Sequence, residues 1–484
     1  TGAQAFAVIR RRTRCRGVLV AAALALAGCA ATEAPPARTR VDVPVRERFS
    51  PSGAPPQATD GAVQDGWLDA LGSEELAAVA RESVERNWDL RGAEERLTRA
   101  RLLAARAGVS LGPFVDGVAA ANWGDPGRNA TARADLRVGV AASWELDVWG
   151  RVRSAVRAAE ADAMSAEADL AALRRAVAAQ AAQSWVLLTV ALQQQRVDEE
   201  LLAVRERTLT IADTRGRAGV ALPIDISVAR SDVADARAQL AQSRQAVDDA
   251  ARSLEVLLGR YPAAEVRAPL DLPTLPERVP VGLPSELLER RPDVVAADRR
   301  VAAAFFRRES AKAARLPRIA LTGELGTASS ALRDALNPSA GVWRLGAELI
   351  APLLDGGQRR IDVELAESEQ REALSAYVAT ALAAFGEVER ALSAEASLIE
   401  RAARLEQGVA ELVKARDAAE MRYRRGLVSI FELTQVEARL FAARRELVAV
   451  RGARVVERIG LHQALGGSFD PTPETTTLTT GAPR

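Results

Sequence analysis

Residue types that carry catalytic chemistry are scarce in this chain. Its 484 residues include one histidine, His462, and two cysteines, Cys15 and Cys29, which both lie within the first thirty positions. A cysteine–histidine nucleophile, a zinc cluster or a disulfide framework needs such residues in the body of the chain. The phosphate-binding pattern GxxxxGK[ST] and the zinc-binding pattern HExxH are also missing from the sequence. We therefore expect neither enzyme activity nor a metal or cofactor site.

Cys29 is the residue best suited to a covalent modification. Five arginines between positions 10 and 16 precede an apolar stretch, 17–27, that is too short to span a bilayer comfortably. The stretch ends in LAGC, residues 26–29, which matches the bacterial lipobox, where cleavage precedes a cysteine that is then acylated. The pattern predicts a covalent lipid on Cys29, and Ala30 in place of Asp favours the outer membrane. The alternative is an ordinary signal peptide with an incidental cysteine.

Charge and composition exclude a nucleic-acid partner and indicate long helices. The formal net charge is +1, which gives no electrostatic attraction to a phosphate backbone. Hydrophobic residues make up 48% of the chain and aromatic residues 4%, and alanine dominates the apolar share. This mixture suits long helices that pack closely side by side.

The stretch DLRVGVAASWELDVWGR, residues 135–151, differs from the helical sequence around it. Apolar and polar residues alternate over about ten positions, which is the pattern and length of a transmembrane β-strand. We expect Arg137 and Glu145 to face a lumen, and Trp144 and Trp149 to lie near the membrane–water boundary. The residues predicted to face lipid are Leu136, Val138, Val140, Ala142, Trp144 and Leu146.

The chain repeats itself at a spacing of 207 residues. Four glycine pairs show this spacing: Gly139 and Gly346, Gly150 and Gly357, Gly219 and Gly426, Gly259 and Gly466. Each copy contains a helix, two strands, a very long helix, a glycine turn and a second long helix. The predicted strands are 108–121 and 134–147 in copy one, and 316–327 and 342–354 in copy two, and the long helices are 151–216 and 358–424.

The strands of copy two alternate in the same way as those of copy one. Their polar positions add Arg318, Glu324, Arg344 and Glu348 to the predicted lumen face. Since backbone groups in lipid must all be paired, a sheet there survives as a closed barrel. Four strands cannot enclose a lumen, so the chain must share a barrel with other copies; two would give eight strands and three would give twelve. The alternative is a small soluble sandwich packed against the helices.

The stripes of apolar residues along the long helices indicate core packing. Val233, Leu240, Val247 and Leu254 keep a seven-residue repeat, and Leu440, Leu447 and Leu461 match three of these positions. Such stripes hold helices together and need no cofactor.

Residues 282–303, GLPSELLERRPDVVAADRRVAA, resemble the signature of the outer membrane factors, the TolC/OprM-like family, and in particular the NodT-type lipoproteins of efflux pumps. The resemblance covers roughly residues 65–467. It implies a mainly α fold with transmembrane β: a trimeric twelve-stranded β-barrel, continuous with a long periplasmic α-helical barrel and built from two internal repeats.

The same resemblance and the repeat divide the chain into six segments. These are a signal peptide (1–28), a lipid-anchored flexible linker (29–65), repeat 1 (66–260, with hairpin 108–147), an equatorial connection (261–291), repeat 2 (292–467, with hairpin 316–354) and a disordered tail (468–484).

The family further implies roles for the two glycine turns, which would meet a periplasmic adaptor. Pro223 departs from the family motif in the first turn, where serine or threonine is preferred, and each glycine can equally be a plain helix cap. The implied adaptor contacts are Gly219, Val220, Tyr423, Arg424, Gly426, Leu427, Val428 and Ser429. The implied periplasmic gate acids are Glu432 and Asp225, for which stabilisation of a helix N-terminus is the alternative role.

The function that the resemblance implies is a passive export duct for drugs or other small solutes. It would lie in the outer membrane, anchored by lipid and extending into the periplasm, as a homotrimer coupled to an adaptor and an inner-membrane RND-type pump. The alternatives are an exit channel for type I protein secretion and a structural envelope lipoprotein without a pore.

Overall fold

The computed structural model describes residues 46, 49, 58–59, 61, 63, 65–124, 133–276, 279–282, 284–330, 337, 339 and 341–470. Cys29 and the predicted signal peptide lie outside the described residues, as do most of the predicted linker and residues 471–484 of the predicted tail.

Helices dominate the described residues, and two of them are very long. The helices are α1 (Trp67–Ala70), α2 (Glu74–Arg86), α3 (Trp88–Val109), α4 (Arg151–Arg217), α5 (Pro223–Leu257), α6 (Pro284–Arg290), α7 (Pro292–Ala313), α8 (Gln358–Arg424) and α9 (Ile430–Ala464). The strands are β1 (Ala58–Thr59), β2 (Phe114–Gly124), β3 (Arg133–Leu146), β4 (Val279–Pro280), β5 (Arg318–Ser329) and β6 (Gly341–Ile350).

The predicted spacing of 207 residues is exact for the four helices that follow the two hairpins. The bounds of α4, 151 and 217, plus 207 give those of α8, 358 and 424, and the bounds of α5, 223 and 257, plus 207 give those of α9, 430 and 464. Before the hairpin loops the spacing is 204 instead, because 88 and 109 plus 204 give the bounds of α7, 292 and 313. The loop between β5 and β6 is therefore three residues longer than the loop between β2 and β3.

Local signals in the sequence set the ends of the long helices. Gly150, Gly219, Gly357 and Gly426 all have positive φ, between 69° and 89°, which a residue with a side chain rarely adopts. Aspartates satisfy the free N–H groups at the helix starts, as in α4, where the Asp147 carboxylate accepts from the N–H groups of Val152 and Arg153 at 2.9 and 2.8 Å.

The four long strands form one antiparallel sheet in the order β2-β3-β5-β6, and β1 pairs with β4 in parallel. The described chain divides into two compact units. The first contains Glu95–Glu167 and Ala296–Ala379, and therefore the sheet. The second contains Ala168–Val295 together with the described parts of 43–94 and 380–484.

The second unit has a continuous apolar core. Trp185, Leu188 and Leu254 are almost fully buried there, together with Leu68 of α1 and Ile459 of α9. Among the described helices, α4 contains an 18-residue window apolar enough to cross a membrane, and half of that window is buried in the protein. The apolar character of α4 is thus used in helix packing.

Two of the predicted strand boundaries need correction. The first strand was expected from residue 108, but helical turns continue through Gly112, whose N–H donates to the Val109 carbonyl at 3.1 Å, and the strand begins at Phe114. The last strand ends at Ile350 rather than 354, since Pro352 has no N–H to donate to a sheet.

Described residues of the predicted linker and of the predicted tail are packed against other parts of the chain. In the linker, Val63 is buried and Ala58–Thr59 pair with β4. In the tail, Phe469 packs in the apolar core, and the Ser468 carbonyl accepts from the Gly66 N–H at 2.9 Å.

Candidate functional site

The strand register places all six predicted lumen residues on one face of the sheet. Glu145 lies opposite Ala320, which lies opposite Glu348, and Ala141 lies opposite Glu324, which lies opposite Arg344. Since side chains alternate between faces along a strand, residues directly opposite each other share a face. The six predicted lumen residues on this polar face are Arg137, Glu145, Arg318, Glu324, Arg344 and Glu348.

The charges on the polar face form pairs of opposite sign. Arg344 and Glu324 are 3.6 Å apart across β5 and β6, and Arg137 and Asp135 are 2.9 Å apart along β3. Glu145 binds Arg151 of α4 at 2.8 Å. Charged groups are costly against lipid, so a sheet in a membrane must turn this face to water.

The opposite face of the sheet is apolar. Trp144 lies opposite Leu321, and Val140 lies opposite Leu325, which lies opposite Trp343. All the predicted lipid-facing residues of β3 are on this face, although Leu136 is buried within the chain.

The two predicted aromatic anchors are held by hydrogen bonds to backbone carbonyls. The indole N–H of Trp144 donates to Leu111 at 2.9 Å, and that of Trp149 donates to Pro317 at 2.6 Å. These bonds fix where each ring lies relative to the ends of the strands.

Both glycine turns have the same backbone hydrogen bonds. The N–H of Val220 donates to the Arg215 carbonyl and that of Leu427 to the Arg422 carbonyl, each at 2.9 Å. These six-to-one bonds, with a glycine at positive φ before the donor, make the Schellman ending of a helix. Gly219 and Gly426 therefore act as helix caps, and both are exposed.

The two predicted gate acids follow these turns and differ in their contacts. The carboxylate of Asp225 accepts from the Leu222 N–H at 3.2 Å, so it caps the start of α5. At the start of α9 the cap is Ser429, whose hydroxyl accepts from the Glu432 N–H at 3.3 Å. The Glu432 residue is exposed. Asp225 thus has a capping role, and the gate roles of Asp225 and Glu432 both stay predictions.

Tyr423 lies inside the turn region rather than on its surface. The Tyr423 side chain is 2% exposed and packs with Ala212, Ile430 and Leu433. It therefore has almost no surface that another protein could contact. Burial raises the pKa of its hydroxyl above the ordinary value, although the Arg215 charge opposes the shift. Its predicted contact with an adaptor is therefore replaced by a packing role.

Arg215 was not singled out from the sequence, yet it joins the two turns. Its guanidinium donates to the Tyr423 carbonyl and lies over the Tyr423 ring, 4.8 Å from the ring centre. Arg215 could have been identified from its position in the last turn of α4, because an arginine there stabilises the free carbonyl groups at the helix end.

Most other predicted contact residues are exposed. Val220 and Leu427 are 65% and 63% exposed, and Ser429 is exposed beside them. Arg424 is exposed and binds Glu420 at 2.6 Å, while Val428 is half-buried against the packed turn residues.

A buried ion-pair cluster in the second unit was missed by the sequence reasoning. Arg205 of α4 binds Glu437 of α9 at 2.8 Å and lies 3.3 Å from Asp232 of α5. Burial raises the pKa of Glu437 to about 7, against the opposing effect of Arg205. Such a cluster ties three helices together at a desolvation cost.

A profile of the family described as "Outer membrane efflux protein" matches residues 79–260 and 283–467. The chain belongs to the outer membrane efflux protein family. The sequence is 30% identical over 465 residues to the pyoverdine export outer membrane protein OpmQ of Pseudomonas aeruginosa, covering 93% of this chain and 96% of that protein. It is 28% identical over 459 residues to the cation efflux system protein CusC of Escherichia coli K12, covering 94% and 99%.

Solved channels of the outer membrane efflux protein family share the fold. The outer-membrane channel OprN matches with a TM-score of 0.84 at 25% identity, over 90% of this chain and 99% of that chain. The open state of the MtrE channel of Neisseria gonorrhoeae matches with a TM-score of 0.81 at 25% identity, over 92% and 100%. These findings confirm the expected family, the trimeric barrel fold class, the efflux channel function and the outer membrane location.

Proposed function

We propose that this outer membrane efflux protein is the passive duct of a tripartite system, coupled to a periplasmic adaptor and an inner-membrane RND-type pump. The observation that carries the proposal is the sheet with one charged and one apolar face, which suits a water-filled lumen inside lipid. Nothing in the sequence resembles a nucleotide-binding loop, so the energy for export comes from the pump.

The proposed cargo class is small solutes, including drugs. The relatives are named for different cargo, pyoverdine for OpmQ and cations for CusC, while OprJ is named as an outer membrane protein. The polar face of the sheet carries both signs of charge in neighbouring positions, which favours passage without strong preference for anions or cations.

The proposed adaptor surface is the exposed part of the two glycine turns. It comprises Gly219 and Val220 in the first turn and Arg424, Gly426, Leu427 and Ser429 in the second. Exposed apolar side chains beside a charged residue are typical of a docking site for another protein.

Channel activity tests the duct. Single-channel recording of the detergent-purified protein in planar bilayers is expected to show stable conductance from a trimeric particle. A trimer that never conducts would instead support the structural lipoprotein. Co-purification of a type I secretion adaptor in place of an RND-type adaptor would support the secretion channel.

The proposed gate is tested by the same recordings on Glu432→Ala. Three exposed carboxylates around a narrow axis select cations, so their removal is expected to change the conductance or the ion selectivity. Glu411→Ala is the matched control, since Glu411 is an exposed acid of α8 paired with Lys414. Identical currents in Glu432→Ala and the wild type would remove Glu432 from the gate.

The proposed anchor is a covalent lipid on Cys29, with no other cofactor. Metabolic labelling with palmitate is expected to label the wild type and Cys15→Ser, and to leave Cys29→Ser unlabelled. Absence of label from the wild type would reject the anchor and leave the channel unaffected.

A further inference from the structure

A cavity lies where the strands of the sheet end and the long helices begin. Its volume is about 320 Å³, and its wall comes from the ends of β3, β5 and β6, from the end of α7 and from the starts of α4 and α8. Ligand sites are typically concave and mostly apolar, with a few polar groups that orient the ligand. A passive duct needs no such cavity, so its composition calls for a separate explanation.

The cavity is on the polar side of the sheet. Glu145 and Arg318, which line it, belong to the polar face. Ile350, also in the wall, lies directly opposite Arg318 and therefore shares that face. In the proposed duct this face lines the lumen, so a passing solute would meet the cavity at the membrane end of the helices.

Large apolar side chains form one part of the wall. Leu316 and Ile350 are 44% and 41% exposed, so apolar surface remains uncovered there. The Trp149 ring also lines the cavity, and it is held in place because its N–H donates to the Pro317 carbonyl at 2.6 Å. An apolar ligand that covers this surface would gain free energy from its removal from water.

Most charged groups of the wall already have partners. The Glu145 carboxylate accepts two bonds from the Arg151 guanidinium, at 3.0 and 2.8 Å. Asp147 accepts from two backbone N–H groups at the start of α4, at 2.9 and 2.8 Å. Arg359 lies 3.2 Å from Asp355. Both carboxylates and two of the three guanidiniums in the wall are therefore satisfied within the chain.

Arg318 supplies the third guanidinium and differs from the other two. Within the described residues its side chain has no hydrogen bond or ion pair, and Glu348, diagonally across from it on β6, does not bridge to it. A free guanidinium presents two parallel N–H groups that match the two oxygens of a carboxylate. The cavity thus combines uncovered apolar surface with an unpaired anion-binding group.

A second cavity of about 430 Å³ shares Ala314 and Arg359 with the first and lies between α4, α7 and α8. Small side chains line it, including Ala155, Ala159 and Ala311. The body of a longer ligand can therefore extend along the helices while its charged end stays at Arg318.

We propose that the first cavity binds small organic anions, molecules with a carboxylate on a compact apolar body, while they pass through the lumen. Arg318 binds the carboxylate, and the wall of Trp149, Leu316 and Ile350 binds the body. Because binding needs charge and shape together, it does not require the lumen to prefer small inorganic anions. The proposal rests on the proposed duct and names one class of its cargo.

Isothermal titration calorimetry of the detergent-purified trimer with 1-naphthoate tests the site, with the heats of protein-free micelles subtracted. The comparison ligand is 1-naphthamide, which has the same ring system and no charge. We expect saturable binding of 1-naphthoate, with about one molecule per subunit. We expect at least about tenfold weaker binding of 1-naphthamide, because a hydrogen bond between two charged groups contributes that much or more.

Three variants, purified as trimers in the same way, separate the charge from the shape of the site. Arg318→Gln removes the free charge and is expected to weaken 1-naphthoate binding at least about tenfold. Ala314→Leu adds bulk to the wall while Arg318 stays, and is also expected to weaken binding. Arg315→Gln is the matched control, since Arg315 is exposed and close in sequence but outside the cavity wall, and should keep the wild-type affinity.

The remaining outcomes would overturn the site or the duct separately. Equal affinity of the wild type, Arg318→Gln and Ala314→Leu would overturn the site, and so would equal losses in Arg318→Gln and Arg315→Gln, which would indicate a general effect of charge. Absence of binding to a trimer that conducts in planar bilayers would show that a neighbouring subunit or a lipid fills the cavity, and would leave the duct intact. A trimer that binds 1-naphthoate and never conducts would overturn the proposed function and keep the binding site.

Discussion

Gly452 of α9 lies so close to Val190 of α4 that a methyl group on it would overlap with Cγ2 of Val190. The same methyl group would lie 3.5 Å from the Val190 Cβ. Because Gly452 is buried, neither helix can move aside without disturbing its neighbours. We expect Gly452→Ala to lower the free energy of unfolding by about 1–3 kcal/mol, the usual cost of overpacking. Thermal unfolding of the detergent-purified protein measures the change.

Gly408→Ala is the control for this substitution. Gly408 lies within α8, and a Cβ there would have no atom within 4 Å in the chain. Alanine favours a helix over glycine by roughly 0.5–1 kcal/mol, so this variant is expected to gain stability. Equal effects of the two substitutions would contradict the close helix contact.

A second prediction concerns the buried carboxyl of Glu437. Burial raises its pKa in the folded protein from 4.5 to about 7, so the folded state binds a proton that the unfolded state releases in this range. The stabilisation that comes from protonated Glu437 is therefore complete below pH 4.5 and is lost as the pH rises through about 7. The loss amounts to roughly 3 kcal/mol at most.

Glu437→Gln is expected to remove this part of the pH dependence, because a glutamine does not titrate. The readout is the unfolding midpoint of wild type and variant at a series of pH values from 4 to 8. Glu446→Gln, an exposed acid of the same helix paired with Arg401, serves as the control and should keep the wild-type slope. An unchanged slope in Glu437→Gln would show that Glu437 is ionised throughout.

A third prediction has the opposite sign and concerns His462. Its ring stacks on Trp67 with centroids 5.9 Å apart, and burial, together with the Arg458 charge, lowers its pKa to about 4. The folded state therefore holds the His462 ring in its neutral form. The contribution of this ring to the free energy of unfolding is complete above pH 6.5 and is lost as the pH falls through about 4. His462→Phe keeps the stacked ring but cannot be protonated. We therefore expect its free energy of unfolding to fall less between pH 7 and pH 5 than that of the wild type. A parallel decline of both proteins would refute the neutral histidine.

The features predicted well from the sequence are those determined by residues close together along the chain. Gly219 and Gly426 end helices through their own backbone conformation, so their spacing gave the repeat and the helix ends. Alternation along β3 likewise gave the two faces of the sheet, because the period of a strand is a local property.

The features that the sequence did not reveal depend on which helices become neighbours. Arg205 and Glu437 are 232 positions apart and meet because α4 packs against α9. Tyr423 lies in a motif whose spacing does not say which side of the turn each residue occupies. The three-residue difference between the hairpin loops was also missed, since the glycine pairs used to find the repeat all follow the first hairpin loop.

The contact between Arg215 and Tyr423 gives the last prediction. The Tyr423 hydroxyl is buried without a hydrogen-bond partner among the described residues, whereas its ring packs against the turn and lies under the Arg215 guanidinium. Tyr423→Phe is therefore expected to keep or slightly raise stability, while Tyr423→Ala should cost about 3–5 kcal/mol by leaving a cavity. Arg215→Met should lose the bond to the Tyr423 carbonyl and lower stability by about 1–3 kcal/mol. Thermal unfolding measures all three, and a loss in Tyr423→Phe as large as in Tyr423→Ala would show that the hydroxyl, not the ring, holds the turns together.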